Sequence, residues 1–137
     1  MKQKFISTKV FDGYSTVFRQ WKAETTHCKY LHGYGVSFKI WFEGELDERN
    51  WVWDFGGMKR AKTTIDNLMP KDWMDFMFDH TQVRVVPAVG AERFAEFVFN
   101  KINTFVKAET KGRVSVKKVE FRENNKNAAV YEPRKNK

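Results

Sequence analysis

The chain has 137 residues, one domain's worth, and its 42% hydrophobic and 16% aromatic content supplies a packed core and excludes a disordered or fibrous protein. Its 25 Lys and Arg against 17 Asp and Glu leave a net charge of +8, which favours an anionic partner, either nucleic acid or a phosphorylated small molecule. No apolar run long enough to span a membrane and no apolar signal core after Met1–Lys4 is present, so neither a membrane protein nor a secreted one is expected. The single cysteine, Cys28, has no internal partner and suits a reducing cytoplasm.

Residues 5–22 read as extended, with a turn or bulge near Gly13. Tyr34, Val36, Phe38, Ile40 and Phe42 alternate onto one face of a strand over 34–42. Trp41 breaks the polarity of the other face, which predicts that this end is covered. Residues 43–47 read as a turn and 51–55 as the return strand of a hairpin. A helix is predicted over 58–66 and a further helical turn or two over 71–78, with Pro70 between them. The strongest helical pattern runs from Pro87 to Lys107, where Phe94, Phe97, Val98, Ile102 and Phe105 recur at steps of three and four as a core stripe. A strand from Arg113 to Arg122 changes parity between Val116 and Val119, which predicts a bulge at Lys117–Lys118. A short strand over 128–131 follows. The pattern is that of a single α+β domain over residues 1–131 with an antiparallel sheet covered on one face; its other face is expected to meet something, such as another subunit. Residues 132–137 form a basic tail, expected to be disordered.

Chemistry-bearing residues concentrate in Thr26-His27-Cys28-Lys29-Tyr30-Leu31-His32-Gly33-Tyr34 and in Asp79-His80. A thiol acts as base or nucleophile when positive charge or an imidazole lowers its pKa, and a carboxylate beside a histidine orients the ring and holds its proton. The plainer readings stand beside these. Cys28 also reads as a small buried hydrophobe, His32 as a structural strand histidine, and Asp79-His80 as a helix-end pair. Glu92 reads equally as a first-turn acid and Glu123 as a solvated carboxylate in an Asn-rich turn.

Cys28 with Leu31-His32-Gly33 resembles the Cys-x-x-x-His-Gly-His motif of the 6-pyruvoyltetrahydropterin synthase and 6-carboxytetrahydropterin synthase family. Further matches follow in the same order: Trp51-Val52-Trp53-Asp54-Phe55 with Met58-Lys59, then Asp79-His80, Pro87 with Glu92, and Glu123 with Tyr131. The resemblance spans roughly residues 11–131. It implies the tunnelling fold, a four-stranded antiparallel sheet with two helices packed on one face. Subunits of that fold join edge to edge into a barrel, as a homo-trimer or homo-hexamer with sites between subunits. It implies a lyase acting on dihydroneopterin triphosphate or a related pterin, in tetrahydrobiopterin or queuosine biosynthesis. Carried over residue by residue, Cys28 abstracts the proton, Asp79 and His80 are the partner acid–base pair, and Glu123 and Glu92 bind the substrate.

The resemblance also implies a zinc site of three histidines, and here the sequence departs from the family. Lys22 and Tyr34 occupy two of the three expected ligand positions, and the chain has only 3 His. A rebuilt site would draw on His32 and His27; the other expectation is no metal. The alternative function is therefore a pterin- or purine-binding protein of the same fold that has lost zinc and the lyase reaction. A nucleic-acid partner is a weaker reading, because the basic strand Arg113–Arg122 offers only Phe121 as a stacking aromatic.

Overall fold

The computed structural model describes residues 3–18, 32–54, 56–63 and 90–134, with the backbone alone at 15–18 and 32–34. Strand β1 (Phe5–Phe18), strand β2 (His32–Gly44), helix α1 (described over residues 56–63), helix α2 (Ala91–Glu109), strand β3 (Val114–Arg122) and strand β4 (Ala128–Tyr131) follow in chain order. The four strands form one antiparallel sheet in the order β1-β2-β3-β4. Among the described residues, no helix is long and apolar enough to cross a membrane.

The alternating pattern does the work expected of it in β2: Val36, Phe38, Ile40 and Phe42 are all buried. They join Phe11 and Tyr14 of β1 and Val114, Val116, Val119 and Phe121 of β3 in one core. Met58 and Ala61 of α1 and Phe94, Ala95, Val98, Phe99, Ile102 and Val106 of α2 complete it, so both helices cover the same face of the sheet. On the other face Trp41 is half-buried, covered by the ammonium groups of Lys39 and Lys118 at 4.8 and 4.6 Å from its ring rather than by another element of the described fold.

Both expected irregularities are present. The β1–β2 register shifts between Phe11 and Tyr14, where Gly13 has φ 84°, a conformation costly for any residue with a Cβ. The β2–β3 register pairs Phe42 with Val116 and Trp41 with Lys118, leaving Lys117 as the extra residue. Asn103 of α2 meets this bulge: its Oδ1 accepts the Val116 N–H at 2.9 Å, supplying an acceptor from the helix layer.

Four sequence expectations need correction. Residues 51–54 do not return as a strand, and Phe55 lies outside the described residues; both edges of β2 are already occupied, by β1 and β3, so no edge is left for a hairpin partner. The segment instead folds as an irregular loop pinned by Arg113, whose guanidinium donates to the carbonyls of Glu45 at 2.6 Å and Val52 at 2.7 Å. Consequently Trp51 and Trp53 do not share a strand face: Trp53 is buried edge-on against Phe42 at 5.0 Å, and Trp51 is exposed. Helix α2 begins at Ala91 rather than Pro87, after Gly90 with φ 131°, and Phe97 is 40% exposed. At about 100° per residue the buried positions of α2 span an arc from Phe94 to Phe99, and Phe97 lies roughly 60° outside it.

Helix α1 is already helical at residue 56, two positions before the sequence reading placed its start. Asp54 caps it, its Oδ1 accepting the Gly57 N–H and its carbonyl accepting the Met58 N–H. The expected helical turns over 71–78 lie outside the described residues, as do 64–66 and 87–89.

Candidate functional site

The strand directions and helix positions point several chain ends toward one end of the sheet, at different heights along β2. Phe18, the last residue of β1, pairs with His32, the first of β2. Arg122, the last of β3, pairs with Ser37 and with Ala128, the first of β4. The N-terminal turn of α2 lies over the same end, because the Phe94 ring stacks on Phe121 at 5.2 Å. The opposite end of the sheet holds Phe5, Gly44 and Val114.

Three of the seven candidate residues lie at the first end: His32 at the start of β2, Glu92 in the first turn of α2, and Glu123 immediately after β3. The remaining four, His27, Cys28, Asp79 and His80, lie outside the described residues. His27 and Cys28 belong to the segment 19–31 that connects Phe18 to His32, and Asp79 and His80 to the segment 64–89 that enters α2 at Gly90. All four are thus on connections with an end at this pole of the sheet.

Glu123 is half-buried, and its main chain is held by the β3–β4 turn. Its N–H donates to the Asn127 carbonyl at 3.1 Å, while Asn124 Oδ1 accepts the N–H groups of Lys126 and Asn127 at 2.8 and 2.9 Å. The carboxylate itself makes no ion pair or hydrogen bond with another described residue, and two acceptor oxygens can take two N–H donors at once. Glu92 is exposed, where it also complements the positive end of the α2 dipole. Its neighbour Arg93 is engaged by Glu96 at 2.7 Å, which raises the guanidinium pKa further.

Other motif residues prove to be scaffold. Tyr131 pairs with Val119 and packs edge-on against Phe99 at 5.1 Å, part-way along the sheet. Asp54 caps α1, and Trp53 and Met58 are core. Sequence reasoning did not single out Arg113 or Asn103, both of which hold structure through main-chain groups that no side-chain pattern displays.

A zinc ion needs lone-pair donors, and an ammonium at Lys22 has none. The register places Tyr34 opposite Thr16, two positions along β2 from His32, where the family pattern has an imidazole. Among the described residues no group of three His, Cys, Asp or Glu is placed to hold a metal. The donor set of this chain does not fit the three-histidine site.

A family model for 6-pyruvoyl tetrahydropterin synthase matches residues 7–134. A putative 6-carboxy-5,6,7,8-tetrahydropterin synthase of Pyrococcus horikoshii is 30% identical over 76 residues, 54% of this chain and 46% of that protein, so the match spans about half the relative's length. Among solved structures, an uncharacterized protein of Wolinella succinogenes superposes with a TM-score of 0.72 at 19% identity, over 97% of this chain and 100% of that one. The 6-pyruvoyl tetrahydropterin synthase of Caenorhabditis elegans gives 0.71 at 17% identity, over 97% and 98%, and that of Plasmodium vivax 0.64 at 16%, over 93% and 97%. The sheet with its two helices is therefore the fold of these synthases, and with the match running over nearly the whole chain, the protein belongs to the 6-pyruvoyl tetrahydropterin synthase family.

Proposed function

We propose that the chain is a tetrahydropterin synthase-type lyase that acts on dihydroneopterin triphosphate or a related pterin. The observation that supports this reading is that His32 starts β2, Glu92 lies in the first turn of α2 and Glu123 follows β3, all toward the same end of a sheet whose family model matches residues 7–134. In this reading the Glu123 carboxylate accepts two N–H bonds from the amino-pyrimidine edge of the pterin and fixes its orientation. The Cys28 thiolate removes a proton from the substrate side chain, and the Asp79-His80 pair carries the partner acid–base step. Glu92 is a second substrate contact. The surplus of cations, net +8, favours the triphosphate. Subunits join edge to edge as a trimer or hexamer with sites between them, in the cytoplasm. No step is routed through zinc, since Lys22 and Tyr34 do not supply its ligands.

The test is turnover of dihydroneopterin triphosphate by wild type and by Cys28→Ala. The variant is expected to lose turnover and keep pterin binding; wild-type rates in it overturn the mechanism. The substitutions at the zinc positions favour a second reading, a pterin- or purine-binding protein without lyase activity. That reading predicts ligand affinity dependent on Glu123 and no turnover by wild type, with or without added zinc.

A further inference from the structure

A carboxylate orients a ligand only as well as its own main chain is fixed. Glu123 opens the loop 123–127, which joins β3 to β4 and reads Glu-Asn-Asn-Lys-Asn. Residues 124–127 are all exposed and none of them enters the core. Packing therefore does not hold this loop, and its order has to come from hydrogen bonds.

The polar groups of the loop are largely satisfied. The Glu123 N–H donates to the Asn127 carbonyl at 3.1 Å, adding one rung beyond the Arg122–Ala128 pair. Asn124 Oδ1 takes the N–H groups of Lys126 and Asn127 at 2.8 and 2.9 Å and closes the loop from inside. The carbonyls of Asn124 and Asn125 are left, and among the described residues no main-chain N–H donates to either. Both accept from Arg122 Nη1, at 3.3 and 3.5 Å. Arg122 is itself anchored by Glu120, two residues earlier on the same face of β3, whose Oε1 accepts its Nε–H at 3.2 Å. The guanidinium thus ties the loop back to the strand, one residue from the carboxylate that the loop carries.

We infer that Arg122, together with Asn124, is a positioning residue for a pterin-binding Glu123: the two side chains hold the Glu123 main chain in one geometry before the ligand arrives. The inference rests on the role given to Glu123 in the preceding reading. Order established beforehand removes a cost that binding would otherwise meet, so the effect falls on affinity. Because a guanidinium also attracts phosphate directly, the probe has to present the amino-pyrimidine edge without any phosphate.

The probe is neopterin, and its affinity is read by ligand-observed NMR titration, which reaches into the millimolar range. Glu123→Ala alone is expected to weaken binding. Arg122→Ala is expected to weaken it about fivefold when Glu123 is present and less than about twofold in the Glu123→Ala background, because a residue that acts through Glu123 has nothing to position once that side chain is gone. Asn124→Ala is expected to match Arg122→Ala, and Asn124→Asp, which keeps an acceptor for both N–H groups, to bind as wild type does. Urea unfolding of the same proteins identifies the temperatures at which each variant is folded. A wild type without neopterin affinity, or one whose affinity Glu123→Ala leaves unchanged, overturns the preceding reading and this inference together. Affinity that depends on Glu123 but is unmoved by Arg122→Ala and Asn124→Ala overturns this inference alone. So does a loss on Arg122→Ala that is equally large with and without the Glu123 side chain.

Discussion

Arg113 holds the loop after β2 by donating to carbonyls that have no strand partner, at Glu45 and Val52. Removing it leaves those oxygens without their charged donor. Arg113→Ala is expected to cost about 2 kcal/mol in urea unfolding, and Arg113→Lys to recover little of it, because an ammonium cannot reproduce the guanidinium fork. Asp47 acts on the same loop from the other side. Its carboxylate accepts the Trp51 N–H at 3.1 Å and the Arg49 N–H at 2.8 Å and pairs with the Arg49 guanidinium. These contacts, the Trp51 bond foremost, hold its pKa below the ordinary 3.8 against a smaller opposing effect of burial. A depressed carboxylate pKa means that its contribution is present above the unfolded pKa and is lost as pH falls through the folded one. Tryptophan fluorescence is therefore expected to report loosening of this loop in acid below about pH 4, and Asp47→Ala to remove that acid-dependent step. Neither residue was legible beforehand: both bond to backbone groups, and which carbonyls lie orphaned depends on a loop path that Trp51-Val52-Trp53, so like a strand in composition, conceals.

At the scale of elements, periodicity was readable wherever one face meets a core. Strand β2 and helix α2 follow from Val36-Phe38-Ile40-Phe42 and Phe94-Val98-Ile102 because burial selects those positions. The same rule misplaced Phe97, since a step of three from Phe94 steps off the buried arc in the opposite sense from a step of four. Phe94→Ala is expected to cost about 3 kcal/mol and Phe97→Ala no more than about 0.5 kcal/mol, read from paired chemical denaturation curves. Helix α1 depends on its start. Asp54→Ala removes the cap and is expected to cost about 1 kcal/mol, with Asp54→Asn retaining most of it. Gly57 sits directly beneath the Trp53 indole, where a Cβ would collide with the ring, so Gly57→Ala is expected to displace Trp53 from its contact with Phe42. Much of the candidate site, by contrast, came from short motifs in shared order. Their residues lie on connections and strand ends, where no periodic burial marks them.

Taken as a whole, the described residues set different groups at the two ends of the sheet. Toward one lie His32, Glu92 and Glu123, the residues of the proposed site; at the other are the loop pinned by Arg113, the cap of α1 and the ion pair of Arg60 with Glu109 that ties α1 to the end of α2. The contacts made by Arg113, Asp54 and Arg60 all lie at the second end and involve none of the residues of the proposed site. Arg113→Ala is accordingly expected to lower stability while leaving pterin affinity within a factor of two at temperatures where the chain is folded. A parallel fall in affinity at those temperatures would show that the poles are coupled.

The two bulges, at Gly13 on β1 and Lys117 on β3, flank β2 on either side. Each neighbour of β2 therefore spends one more residue than β2 over the same height, and a bulged strand bends and twists more than its partner. Deleting Gly13 would still leave Phe11 and Tyr14 two places apart, and deleting Lys117 would leave Val116 and Val119 two places apart, so every inward side chain stays inward. The local bend that each bulge gives its strand is thus carried by a single codon, separable from the inside–outside code of the residues around it. Shortening by one triplet at either place is expected to straighten that strand without scrambling the core.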